Sequence, residues 1–406
     1  MPRIGQTTNH DPRAVLHHGD CLDVMRTMRG DSIDSVVTDP PYGLSFMGKN
    51  WDHGVPGESF WREALRVAKP GAHLLAFGGT RTYHRLACAI EDAGWEIRDC
   101  IMWVYGSGFP KSHDVSKAID KAAGAEREVV GTQKGKGGEN LNTLSRNGND
   151  AENAKGCGAY GQGAKQITVD IPITAPATDA ARQWQGWGTA LKPAYEPVIL
   201  ARKPLIGTVA ANVLAHGTGA INVDACRVGT VVETWPATRA YSRHDTGNAI
   251  KVSSQPTGNA PSGRWPANLI HDGSDEATAG FPHTTSGKPI GKRRGTSGES
   301  GIYGSDSCRS GSDLTGFGDT GSAARFFYCA KTSKADREEG NNHPTVKPTA
   351  LMRYLCRLVT PPNGVILDPF LGSGSTGKAA LLEGFRFVGI EQDEESYLTA
   401  RKRVLG

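Results

Sequence analysis

The residues best suited to chemistry are Thr38-Asp39-Pro40-Pro41-Tyr42-Gly43. An acid, two prolines and an aromatic in that order make a stiff polar turn, because proline fixes its own φ and restricts the residue before it. Such a turn presents two acceptors at a set angle, the Asp39 carboxylate and the Pro40 carbonyl, with Pro41 stiffening the exit. Paired fixed acceptors suit an exocyclic amine on a planar ring. The lone pair of that amine is delocalised, and it becomes nucleophilic when both N–H protons are drawn onto acceptors. Tyr42 offers a flat surface on which the ring could stack. The same residues also make an ordinary strand-ending turn with an exposed tyrosine, and sequence spacing alone does not separate the two.

The second motif is Asp368-Pro369-Phe370-Leu371-Gly372-Ser373-Gly374-Ser375-Thr376-Gly377, with Glu391 following 23 residues after Asp368. A glycine-rich turn between a strand and a helix brings backbone N–H groups close to a ligand, and an acid ending the next strand can accept ribose hydroxyls. The pattern suits a nucleotide-like cofactor, and it also satisfies the GxGxxG spacing of dinucleotide enzymes. A glycine-rich turn with no ligand is the plain alternative.

Both motifs need strands to carry them. Ser35–Thr38 is a short apolar run stopped by Asp39 and the prolines. Glu58–Ala68 has helical spacing, Ala72–Phe77 reads as a buried strand, Thr82–Ala93 as a helix and Glu96–Tyr105 as a strand. The C-terminal end repeats the rhythm: helix Pro348–Val359, strand Val365–Asp368, helix Ser375–Glu383, strand Phe385–Glu391 and a last helix to Val404. Alternation of this kind predicts an α/β fold with a largely parallel sheet. Between the two ends lie polar, glycine-rich stretches with islands such as Glu196–Arg202. No sheet-forming rhythm is evident over 126–324, and most of the 52 glycines fall outside the α/β ends.

At +4 over 406 residues the chain is only mildly basic, so contact with nucleic acid must come from a local patch. Lys288, Lys292, Arg293 and Arg294 form one such run, suited to phosphate contact and equally to solubility. Eight scattered cysteines show no zinc-ligand spacing, so no metal is expected. No apolar run of about 18 residues and no signal-peptide core occur, which leads to the expectation of a cytoplasmic protein without a membrane segment.

Taken together, TDPPYG and DPFLGSGS resemble the DNA amino-methyltransferases that modify adenine N6 or cytosine N4. The order, with the acidic turn ahead of the glycine-rich loop, is similar to the permuted β group of that family. Further matching pieces are His17-His18-Gly19-Asp20, Phe77-Gly78-Gly79, Trp103 with Gly106–Pro110, and His343-Pro344-Thr345-Val346-Lys347-Pro348; the stretch Leu191–Pro197 resembles phage-type members. The likeness covers roughly residues 15–125 and 325–405.

It implies a Rossmann-like, S-adenosylmethionine-dependent fold with residues 1–125 as the catalytic half, 126–324 as a target-recognition insertion and 325–406 as the cofactor-binding half. By the same resemblance Asp39, Pro40, Pro41 and Tyr42 are catalytic. Asp20, Asp368, Phe370, Gly372, Ser373, Gly374, Glu391, Thr345 and Lys347 hold the cofactor, with Lys347 on its carboxylate. Asp20 equally suits a helix N-cap, while Trp103 suits core packing and His343 a structural role. Double-stranded DNA is the implied partner, with base flipping, and a homodimer is compatible.

Asp at the head of the turn resembles the adenine-N6 enzymes, with cytosine N4 as the alternative. A protein-glutamine or RNA methyltransferase, a nicotinamide enzyme and a catalytically silent DNA-binding protein are the other readings. Carbon-5 methylation is disfavoured, since it needs a Pro-Cys nucleophile and the chain has no such dipeptide.

Overall fold

The computed structural model describes residues 11–43, 54–108, 112–137, 167–232, 262–285, 320–331, 336 and 346–406. Their centre is a nine-stranded sheet. Along the chain its strands are β1 (Ala14–His18), β2 (Ile33–Thr38), β3 (Ala68–Phe77), β4 (Glu96–Val104), β5 (Tyr195–Arg202), β6 (Leu269–His271), β7 (Tyr328–Cys329), β8 (Val365–Asp368) and β9 (Arg386–Glu391). Across the sheet they lie in the order β1-β9-β8-β2-β3-β5-β4-β6-β7. Every neighbouring pair is parallel except those of β5, which runs against both β3 and β4. The architecture is the expected Rossmann-like α/β fold.

Side chains alternate across a strand, so a sheet buried on both sides reads as continuously apolar. In β2 and β3, Val36, Leu74 and Ala76 face one layer, where α1 (Cys21–Thr27), α2 (Glu58–Val67) and α3 (Tyr83–Asp92) pack Met25, Trp61 and Leu86. Val37, Leu75 and Phe77 face the other, with Leu351, Ala379 and Ala400 of the C-terminal helices. Trp61 is fully buried and its indole N–H donates to the Pro56 carbonyl at 3.1 Å, which removes the penalty of stranding a donor in the core. Replacing it with alanine would cost about 3–5 kcal/mol.

The element boundaries at both chain ends follow the sequence pattern to within a residue or two, with one exception. β3 starts at Ala68 rather than Ala72 and runs through Pro70-Gly71. The pairing with β2 jumps from Ile33–Ala68 to Ser35–His73 across that point. The central segment seals the irregularity: Asn212 on the helix Val209–His216 and Thr218 both donate to the Pro70 carbonyl. Gly71 sits at φ 78, and a Cβ there would overlap Asn212 Nδ2.

The central segment corrects a second expectation. No sheet-forming rhythm is evident in the sequence over 126–324 beyond islands such as Glu196–Arg202, yet the segment supplies β5 and β6 to the main sheet, along with the hairpin Val129–Gly137 with Ile167–Thr174. The run Glu196–Arg202 is apolar enough to lie buried between β3 and β4. Hydrophobic pattern carries no information on strand direction, so its reversal could not be read. The described part of the central segment is built into the main sheet.

β8 and β9 come from the last 45 residues, and they lie between β1 and β2 from the first 40. A chain ending at Arg325 leaves β1 without its one sheet neighbour among the described residues and β2 with one open edge. We expect that chain to lack a cooperative thermal transition by circular dichroism, and co-expression of residues 326–406 to restore it. A cooperative melt of the truncated chain alone would contradict the interleaved sheet.

Candidate active site

Because β2 and β8 are parallel neighbours, the turns that follow them emerge side by side at one edge of the sheet. The coupling is direct: Thr38 Oγ1 donates to Asp368 Oδ1 at 2.6 Å, and Asp368 Oδ1 also accepts from the Phe370 N–H at 3.1 Å. A cavity of about 1400 Å³ lies over this edge. Asp39, Tyr42, Glu196 and Lys347 line one part of it, and Gly372, Phe370 and Glu391 another. Open α/β sheets place their ligands at this position, beyond the carboxyl ends of the strands.

On the glycine-rich side, both Glu391 oxygens hold backbone: Oε2 accepts from Gly372 N at 2.7 Å and Oε1 from Asp393 N at 2.8 Å. Burial pushes the Glu391 carboxyl above its usual range, against the pull of those hydrogen bonds. Gly374 adopts φ 84 as it opens the helix Ser375–Leu382, and a Cβ there would lie 2.9 Å from Val404 Cγ2 and 3.1 Å from Ala400. Its small size therefore serves the docking of the last helix, Glu394–Leu405, and it is not among the residues that line the cavity. Ser373 is buried, with its hydroxyl and carbonyl both accepting from Arg403 at 3.0 and 2.6 Å. Phe370 packs on Phe60 and Trp61, with ring centroids 5.9 and 6.1 Å apart.

On the acidic side, four groups form a closed network. Tyr42 donates its hydroxyl to Asp39 Oδ1 at 2.7 Å and lies 3.2 Å from Glu196 Oε2. Lys347 Nζ sits 2.9 Å from Asp39 Oδ2, 2.9 Å from Glu196 Oε2 and 3.0 Å from the Tyr42 hydroxyl. Its ammonium also lies over the Phe77 ring, 4.8 Å from the centroid. Burial works against the Lys347 charge, and the two carboxylates more than offset it, so the amine is held charged above its usual range. Burial, then Asp39 and Glu196, push the Tyr42 phenol up, so it stays protonated and donates. The Tyr42 carbonyl accepts from Thr82 Oγ1 at 2.7 Å, and a Cβ on Gly79 would stand 3.2 Å from Tyr42 Cδ2, so Phe77-Gly78-Gly79 is the close backing of this turn.

The structure thus brings Asp39, Pro40, Pro41, Tyr42, Asp20, Asp368, Phe370, Gly372, Ser373, Glu391 and Lys347 to one cavity. Lys347 differs from its expected place: its charge is met by Asp39 and Glu196, at the acidic turn, rather than standing ready for a cofactor carboxylate. Asp20 caps α1, accepting from Leu22 N at 2.9 Å and Asp23 N at 3.2 Å, while lining the cavity. Trp103 is a core residue, 7% exposed. Thr345, His343, Lys288, Lys292, Arg293 and Arg294 lie outside the described residues.

Glu196 was missed as a functional residue. Its signal was an acid at the head of an otherwise apolar strand, and the reversal of β5 carries that head to the ligand edge, opposite Trp103. Among the described residues no cluster of His, Cys, Asp and Glu could hold a metal ion, and no helix is long and apolar enough to cross a membrane.

With this geometry in view, a model of the DNA methylase family matches residues 33–154 and 166–402. The chain belongs to that family. Among sequence relatives, the type II methyltransferase M2.DpnII of Streptococcus pneumoniae is 42% identical over 73 residues, 18% of this chain and 27% of that one. The YubD protein of Escherichia coli (strain K12) is 44% identical over 63 residues, 16% of this chain and 28% of that one. The chain thus spans little more than a quarter of the length of these curated relatives. Solved structures similar to this methylase include a complex of M1.HpyAVI with S-adenosylmethionine, at 14% identity over 96% of this chain and 98% of that one, TM-score 0.40. PvuII DNA methyltransferase, described as cytosine-N4-specific, shows 12% identity over 100% and 91%, TM-score 0.44. At these scores neither bears on the reading of the site.

Burial lifts the Asp368 carboxyl to about 7, outweighing the hydrogen bonds from Thr38, Thr376 and the Phe370 N–H that favour its ionised form. A carboxyl raised from 3.8 binds more protons folded than unfolded, so its contribution to stability is full below pH 3.8 and is lost as pH rises through about 7. Asp368→Asn keeps an acceptor for Thr38 and does not titrate. The melting temperature of the parent minus that of the variant should therefore fall between pH 4 and 7 and level off above. A difference that stays flat across that range would contradict the assignment.

Proposed function

We propose that this methylase transfers a methyl group from S-adenosylmethionine to the exocyclic N6 amine of adenine in double-stranded DNA. The observation that carries the reading is the single cavity shared by the Asp39 turn and the glycine-rich loop. The residues present fit the cofactor. Glu391 ends β9 with its carboxylate at the loop, where unused lone pairs can accept ribose hydroxyls, while Asp20 and Phe370 border the same space. When bound, S-adenosylmethionine supplies an electrophilic methyl group, and no metal is needed to activate it.

The chain's own work is on the acceptor. Asp39 accepts one N–H of the amine and the Pro40 carbonyl the other, which localises the nitrogen lone pair for attack. Lys347 places its ammonium 2.9 Å from Asp39 Oδ2, which anchors that carboxylate at the turn. The Tyr42 ring, fixed at its hydroxyl and at its carbonyl, provides a rigid platform for the base. The amine must shed a proton once methylated, and Asp39 is the nearest carboxylate to receive it.

Reaching this depth requires the base to leave the helix. Arg81, Leu191 and Lys192 line the same cavity, and Leu191 is 93% exposed. An adenine acceptor is favoured by Asp at the head of the turn.

Asp39→Ala should fold, because Lys347 keeps Glu196 as its counter-ion. It should bind S-adenosylmethionine as the parent does and lose methyl transfer by about 10²–10³-fold or more, the cost of deleting a preorganised polar group. Calorimetry of cofactor binding, with mass analysis of nucleosides from methylated DNA, checks both halves. Transfer at the parental rate would refute the role of Asp39, and N4-methylcytosine as product would refute adenine as the acceptor.

A further inference from the structure

Both oxygens of Asp39 are already engaged. Oδ1 accepts from the Tyr42 hydroxyl at 2.7 Å and Oδ2 faces the Lys347 ammonium at 2.9 Å. Each oxygen keeps a further lone pair, but two donors that are themselves largely buried, Lys347 with only 6% of its side chain exposed, draw on the charge that an incoming amine would have to share. Leaving such a donor without a partner is costly. Yet the same two donors each have a second acceptor in place: Glu196 Oε2 lies 2.9 Å from Lys347 Nζ and 3.2 Å from the Tyr42 hydroxyl. Two donors therefore bridge the same two carboxylates, one on the turn after β2 and one at the head of β5.

We infer that Glu196 is a positioning residue that takes up the Lys347 and Tyr42 hydrogen bonds when the acceptor amine engages Asp39. The exchange needs no displacement of backbone, since both donors already stand within hydrogen-bonding distance of Oε2. It turns the Asp39 carboxylate from those two donors to the amine, while Lys347 keeps a carboxylate partner in Glu196. Glu196 never touches the base; it acts through the two side chains it shares with Asp39. Its place fits this task. Among the described residues β5 is the only strand of the main sheet that enters from the ligand edge, so its first residues reach the turn while Val198–Ala201 stay buried in the core. The inference rests on the proposed methyl transfer at Asp39.

The test compares the parent with Glu196→Gln and Glu196→Asp in the full chain. Single-turnover methyl transfer is measured at saturating S-adenosylmethionine and DNA, together with the dissociation constants of both and the melting temperature. Glutamine offers one neutral oxygen in place of a charged pair, which throws Lys347 back on Asp39. Its single-turnover rate should fall about ten- to a hundredfold, in line with the penalty for donors that lose their alternative partner. Cofactor and DNA affinities should stay within about threefold, less than 1 kcal/mol by the binding relation. Glu196→Asp keeps the charge on a stem one methylene shorter, and it should fall between the parent and the glutamine variant.

A purely structural role would instead lower the melting temperature and weaken binding in step with the rate, and that result would overturn the inference. So would a Glu196→Gln chain that transfers methyl at the parental rate. Should the glutamine variant fail to fold, Glu196→Asp decides: an unchanged rate overturns the inference, and a slowed rate with unchanged affinities supports it. A parental chain that methylates no DNA would overturn the proposed function and this inference together; an active parent with an indifferent Glu196 would overturn the inference alone.

Discussion

The adjacency of β2 and β8 is the constraint on which the rest depends. One strand belongs to the first 40 residues and the other to the last 45, and only their pairing sets the acidic turn beside the glycine-rich loop. The hydrogen bond from Thr38 to the buried carboxyl of Asp368 fastens the two turns at their roots. Loop closure over so many intervening residues carries an entropic cost, which grows only slowly with length and is met by the apolar layers on both faces of the sheet. The central segment does not hang apart from this arrangement. It threads β5 between β3 and β4 and braces the irregular start of β3 through Asn212 and Thr218.

Electrostatics at the acidic turn follow from that layout. A buried ammonium is tolerable only beside opposite charge, and breaking such a pair by removing one partner costs about 3–5 kcal/mol. Lys347 has two carboxylates within 2.9 Å, so it stays charged and keeps a partner even when one of them is called to another task. Three separate parts of the chain meet there: the turn after β2, the head of β5 and the segment before the helix Thr349–Val359. The same four side chains hold the turn in place and give each of the two donors a second acceptor.

Much of this was legible in the sequence. The strand and helix alternation at both ends follows from apolar spacing and from Pro and Gly stops, and the two motifs sit at the ends of the strands that were expected to carry them. What could not be read depended on long-range geometry. The run Glu196–Arg202 looked ordered, but its direction and its berth inside the sheet are set by neighbours more than 90 residues away. Glu196 stayed hidden for that reason, since an acid at the head of a strand is meaningful only when the strand is reversed. Lys347 was assigned to a cofactor carboxylate by resemblance, and its partners became visible only once β5 was in place. Gly374 fitted a ligand-approach pattern, whereas its contacts show a second demand for small size, the packing of Ala400 and Val404 against the loop.

The central claim is that the acidic turn and the donor pocket are two parts of one space. A crystal structure with sinefungin, a non-transferable analogue that carries an amine where the sulfonium methyl would be, tests it most directly. The account predicts the adenosine moiety beside Glu391 and the amine-bearing carbon facing the open volume in front of Asp39, with room for a planar base between them. An analogue bound elsewhere, or one whose amine points away from Asp39 with protein filling the gap, would contradict it.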